Sequence, residues 1–154
     1  MNELVVFNGM VGGFLAILGM FIVELTAFLK WGDHGVQEKQ LSTMIVHLIL
    51  RRSIDPDQKE SSSIQLIAVS LHFIAGIIIG VILSVFISIL PETIPIVYIT
   101  FLFSLILQFF GVLVFQKITK FPAISESLGF TPILINTFAH IVFGLILGLW
   151  LALM

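Results

Sequence analysis

Two histidines stand in the most apolar part of this chain. Residues 71–80 read LHFIAGIIIG and residues 139–148 read AHIVFGLILG. His72 and His140 therefore each open a His-x-x-x-Gly-x-x-x-Gly segment, at an offset of 68. Imidazole in such surroundings has three uses. It ligates iron, copper or zinc, it carries a proton near neutral pH, or it makes a hydrogen bond that water cannot supply. Glu24, Gln108 and Asn136 are the other groups able to do chemistry inside apolar runs. His72 and His140 are candidate axial ligands for a haem b. With Glu24 they are candidate ligands for a metal ion. His34 and His47 lie in a polar segment and read as surface residues.

What must position these groups follows from composition. The chain has 154 residues, 58% hydrophobic and 10% charged, with a mean hydropathy of +1.17. Soluble domains carry about a quarter charged residues, so an all-α membrane protein is expected. Apolar runs near 20 residues, long enough to cross a bilayer, occur at about 4–30, 64–90, 94–115 and 132–154. They form a single four-helix transmembrane domain covering 1–154. The first run lacks the basic start and small-residue cleavage pattern of a signal peptide and is expected to persist as a helix. With no cysteine in the chain, disulfides, thiolate metal sites and thiol redox chemistry are excluded. Net charge −2 argues against a nucleic-acid partner.

The connections carry the orientation. All seven Lys and Arg residues fall at 30, 39, 51, 52, 59, 117 and 120. Basic residues are retained on the cytoplasmic side. The loops 31–63 and 116–131 are thus expected to be cytoplasmic and both termini outside, in a multi-pass protein of the cell membrane. In the first loop Leu41, Met44, Ile45 and Leu48 make one apolar helical face. An amphipathic helix in the headgroup plane is expected there, or one packed on a partner protein. Serines 61–63 are available to cap the second span.

Reading every fourth residue shows what the spans offer to each other. Span two gives Ala68, His72, Gly76, Gly80 and Ser84, and span four gives Asn136, His140, Gly144, Gly148 and Ala152. Small-xxx-small stripes let helix backbones approach closely in lipid. Gly9, Gly13, Gly76, Gly80, Gly144 and Gly148 are the expected packing positions, and Leu147 is expected on another face where Phe would be tolerated. Spans two and four run the same way, so the doubled motif predicts two parallel-repeat hairpins. A weaker match pairs Gly19 and Glu24 with Gly111 and Gln116. At about 1.5 Å per residue, both histidines lie roughly 12 Å inside the cytoplasmic ends of their helices. Glu24, Gln108 and Asn136 are expected to join them in one polar layer.

Three functions fit these features. The first is a non-catalytic accessory or scaffolding subunit of a larger membrane complex, such as a membrane-bound oxidoreductase or monooxygenase. Its partners would be the lipid bilayer and other membrane subunits, or further copies of itself. The second is a haem b or metal-binding protein using His72 and His140. The third is a small oligomeric transporter or channel with a Glu/His proton relay. No catalytic triad, P-loop or dinucleotide fingerprint is present in the sequence, which points away from an enzyme.

The paired segments HFIAGIIIG and HIVFGLILG, with GMVGGFLAILG in the first span, resemble an uncharacterised family of four-helix prokaryotic membrane proteins. In that family His-x-x-x-Gly-x-x-x-Gly recurs in the second and fourth spans. The resemblance implies a four-helix membrane fold across all four spans, an archaeal or bacterial source, and no particular activity.

The charge segregation yields a direct expectation. With a single cysteine introduced at Asp57 or at Glu92, a membrane-impermeant thiol reagent applied outside the cell should label position 92 and spare position 57. The reverse pattern would invert the topology.

Overall fold

The computed structural model describes residues 3–31, 46, 49–50, 61–91, 93–111 and 131–154, and every element among them is helical. Four helices follow one another: α1 (Glu3–Trp31), α2 (Ser62–Ser88), α3 (Ile96–Phe109) and α4 (Thr131–Leu153). Three of them hold stretches long and apolar enough to cross a membrane, at Glu3–Ala27, Ser62–Ser88 and Ile133–Leu153. The bounds of these three helices lie within two residues of the sequence reading. The third differs. Ile96–Phe109 is a shorter apolar helix, and its winding opens into a wide turn at Phe110 and Gly111. The expected remainder of that span, 112–115, lies outside the described residues, as does Gln116.

Local chemistry sets the helix ends. Ser61 has extended backbone angles, and its hydroxyl accepts a hydrogen bond from the Ile64 amide at 3.4 Å. The cap is thus the first of the three serines. Pro91 cannot continue a helix, and α2 closes just before it. Pro95 starts α3, its carbonyl accepting from the Tyr98 amide at 2.9 Å. The amphipathic helix expected at 41–48 lies almost wholly outside the described residues. The exception is Val46, which is buried against Ile64 and Ala68 of α2 and whose carbonyl accepts from the Leu50 amide at 2.9 Å.

Extensive packing joins α2 to α1, α1 to α4 and α4 to α3. The helix order is therefore α2–α1–α4–α3, with α1 and α4 inside. One buried cluster holds Ala16, Ile17 and Met20 of α1, Leu83 of α2, and Ala139, Phe143 and Leu147 of α4. Leu147 is therefore core, fully inaccessible, and not on a permissive face. The physical reason is that α4 has two neighbours. Its α3-facing side carries Gly144 and Gly148, and its α1-facing side carries Leu147. The outer faces stay apolar: Phe7, Phe14 and Ile22 on α1, Ile74, Ile78 and Ile82 on α2, Tyr98 and Ile106 on α3, and Leu134, Phe138 and Leu149 on α4 are exposed.

Glycines sit where backbones meet. A methyl group built on Gly80 would fall against the Gly9 carbonyl oxygen and 2.6 Å from the Gly13 Cα, and one on Gly13 would lie 2.6 Å from the Gly76 carbonyl oxygen. On the α3–α4 side a methyl on Gly148 would strike the Thr100 hydroxyl and lie 2.7 Å from the Val97 Cα. One on Gly144 would strike the Ser104 hydroxyl. Thr100 and Ser104 are fully buried. Their hydroxyls donate to their own helix, at 3.1 Å to the Val97 carbonyl and 2.7 Å to the Phe101 carbonyl. Satisfied in this way, they need nothing from α4.

Backbone cannot move aside as a side-chain tip can, so Gly80→Leu should force α1 and α2 apart. A loss of about 1–3 kcal/mol or more is expected for such overpacking. Leu149→Ala, on an exposed face, should cost little. Thermal unfolding in detergent checks this, and equal Tm values for the two variants would refute it.

Candidate functional site

Glu24, Gln108 and Asn136, the buried carboxylate and amide side chains, lie toward one end of the bundle. Contacts between helices fix the levels. Gly19 of α1 faces Val142 and Ile146 of α4, and Gly12 faces Leu147 and Trp150, so the two helices run antiparallel. Five residues beyond Gly19, Glu24 is level with the turn that holds Thr137 and His140. On α2, Gly76 meets Ile17, and Phe73 lies between Phe14 and Phe21, with ring centroids 6.2 and 5.7 Å away. His72 is thus level with the turn of α1 just before Glu24. On α3, Gln108 donates from Nε2 to the Thr137 hydroxyl at 3.5 Å. Glu24, Gln108, Asn136 and the two histidines therefore share a slab about one to two turns thick.

Burial separates these residues into two kinds. Glu24 and Asn136 are each 8% exposed and Gln108 is 6% exposed. His72 and His140 are half-buried. His140 Nδ1 lies 3.0 Å from the Asn136 carbonyl oxygen. A carbonyl only accepts, so this nitrogen carries the proton, and the lone pair of the neutral ring is on Nε2. The Asn136 side-chain oxygen is buried, and none of the described residues donates a hydrogen bond to it.

Among the described residues no three His, Asp or Glu side chains are placed to share a metal ion. His72, His140 and Glu24 are therefore not assembled as a three-ligand set. The topology supplies the reason, because the histidines sit on α2 and α4, which both pack on α1 and have little contact with each other. The same separation bears on a haem held between the two imidazoles, since α1 occupies the position between their helices.

Two interior contacts were not read from the sequence. Trp150 Nε1 donates to the Asn8 carbonyl at 3.1 Å, joining α4 to α1. The Ser84 hydroxyl donates to the Val5 carbonyl at 2.7 Å, joining α2 to α1. Near both, Asn8, Ser84 and Ser88 line an open cavity of about 190 Å³ with Leu4, Val5, Ile87, Leu151 and Met154. A backbone carbonyl has no signature in the sequence, so neither acceptor was visible there. Thr137 was visible, as a hydroxyl next to Asn136 in an apolar run, and its role as partner of Gln108 was not.

The chain matches no protein-family model, no curated protein and no solved structure.

The link between Gln108 and Thr137 is measurable. A double-mutant cycle with Gln108→Leu and Thr137→Val should give a coupling of under about 1 kcal/mol, the usual scale for such bonds in membrane bundles. A coupling of zero would show that the bond does not form.

Proposed function

We propose that this chain is an integral membrane protein of four spans that acts as a non-catalytic accessory or scaffolding subunit of a larger membrane assembly. One observation carries the reading. Interior polar groups are used to tie helices together. Ser84 ties α2 to α1, Trp150 ties α4 to α1, and Gln108 ties α3 to α4. This is how polar side chains fix neighbour choice in a bundle whose lipid surroundings offer no partners. The order α2–α1–α4–α3 also leaves α2 and α3 each packed extensively on one neighbour. Their remaining flanks are apolar and suit lipid or the helices of other subunits.

In this reading the basic loops face the cytoplasm and the apolar run 94–115, which holds α3, is the fourth span. The two hairpins, α1 with α2 and α3 with α4, are a duplicated unit. The doubled His-x-x-x-Gly-x-x-x-Gly segment supports that duplication, and so do the glycine contacts of Gly80 and Gly148 with the preceding helix of each pair.

The experiment is purification from native membranes in lipid nanodiscs through a tag on the chain. A fixed stoichiometry of companion membrane proteins, or a homo-oligomer of defined size, is the expected result. A lone monomer at every solubilisation condition would end the reading.

A second reading, ligation of haem b or a metal ion, draws on the two histidines of the doubled motif. It predicts a Soret band or bound metal in the native preparation, lost in His140→Ala. A colourless, metal-free protein would leave the first reading alone.

A further inference from the structure

We propose that the cavity lined by Asn8, Ser84 and Ser88 binds the head of a neutral lipid that carries free hydroxyl groups, such as the glycerol end of an acylglycerol. Position comes first. Asn8 stands in the second turn of α1, Ser84 and Ser88 are one turn apart at the end of α2, and Met154 follows the end of α4. The 27 residues of α2 span about 40 Å, close to a bilayer with its interfacial layers, of which the hydrocarbon core is about 30 Å. Asn8 and Ser84, roughly 6–8 Å inside their helix ends, therefore sit where lipid heads meet their chains. The space between α2 and α4 is there because both pack on α1 and have little contact with each other. Its shape is held from two sides. Ser84 is tied to the Val5 carbonyl, and the Asn8 carbonyl is tied to Trp150.

The polar lining selects the head group. Ser84 gives its proton to the Val5 carbonyl at 2.7 Å and Ser88 gives its own to the Val85 carbonyl at 2.8 Å. A hydroxyl has one proton, so both oxygens can only accept from the cavity. The Asn8 side-chain amide can donate as well as accept. A ligand that satisfies all three must itself donate and accept, as a hydroxyl group does. Charged heads fit less well. No charged side chain lines the cavity, so an ammonium would lose water there without a counter-charge. Glu3, in the first turn of α1, would repel a phosphate.

The apolar lining selects the rest of the molecule. Leu4, Ile87, Leu151 and Met154 supply most of the remaining wall, which water or a free polyol would leave wet at a cost proportional to its area. A hydrocarbon chain covers it. The cavity measures about 190 Å³. A cavity of about 150 Å³ is enough for benzene, so this one takes roughly seven heavy atoms, a glycerol head with the first atom or two of its chain. The rest of the chain lies in the surrounding lipid, which an open cavity permits.

The inference rests on the membrane placement of the helices and not on the accessory role. Lipid binding is read on the isolated protein and partnership on native membranes, so either can fail alone. The test is thermal unfolding, followed by tryptophan fluorescence, of purified protein in nanodiscs of phosphatidylcholine, whose head offers no hydroxyl. Monoolein added to the discs should raise Tm in a saturable way, by about 2–4 °C at a fivefold excess over Kd. Methyl oleate, with the same chain and no hydroxyl, should not, and neither should glycerol, with the hydroxyls and no chain. Ser88→Leu, at an exposed position where folding is expected to survive, should abolish the rise by filling the cavity, and Asn8→Leu should weaken it. Equal Tm values with monoolein and methyl oleate would overturn the proposal, as would an unchanged rise in Ser88→Leu. An equal rise with glycerol would overturn the assignment to a lipid. A protein that does not enter the discs would overturn the membrane placement and this inference with it.

Discussion

The direct approach of two helix backbones at Gly9, Gly13, Gly76 and Gly80 is the constraint from which the rest of the bundle is built. With no Cβ between them, α1 and α2 close until the carbonyl of Gly76 lies where a methyl group on Gly13 would be. Only at that separation does the Ser84 hydroxyl reach the Val5 carbonyl and the Phe73 ring fit between Phe14 and Phe21. Closing this side of α1 leaves its neighbouring side, with Gly12, Ala16 and Gly19, as the surface on which α4 packs. At the other pair the smooth surface is made partly by hydroxyls. Thr100 and Ser104 return their protons to their own helix and present α4 with little more volume than alanine.

Two kinds of contact hold the interior, and their magnitudes differ in purpose. Dispersion between closely packed atoms is small for each pair and large in sum, and the cluster from Ala16 to Leu147 collects it without competing demands. The polar bonds contribute under about 1 kcal/mol each in such settings. Their value lies in direction. An apolar interface between α1 and α4 could slide by a turn at modest cost, whereas Trp150 finds the Asn8 carbonyl in one register. Gln108 and Thr137 do the same for α3 and α4.

The helices were legible because hydrophobic length is a one-dimensional property. Runs 4–30, 64–90 and 132–154 became Glu3–Trp31, Ser62–Ser88 and Thr131–Leu153 with shifts of one or two residues. What failed was the assignment of faces. Leu147 was read as permissive because it is off the line of Gly144 and Gly148, yet a helix with two neighbours has two buried sides. A glycine stripe marks only one of them. The interior site was legible by residue type, since Glu24, Gln108 and Asn136 stand out among Ile, Leu and Phe. Which neighbour each meets was not, because that depends on register between helices. The wide turn at Phe110 and Gly111 was likewise not read from the sequence.

The position of α1 between α2 and α4 has a consequence for how the chain is made. Its two partners differ in sequence distance. The Ser84–Val5 contact with α2 spans 79 residues, whereas Trp150 and Asn8 are separated by 142 residues. Long-range closure of this kind is slow compared with helix formation or hairpin pairing. During synthesis α1 and α2 can pair early, while the second flank of α1, with its glycines and the carboxyl group of Glu24, stays uncovered until α4 has been made. For that interval something other than the finished bundle must cover it.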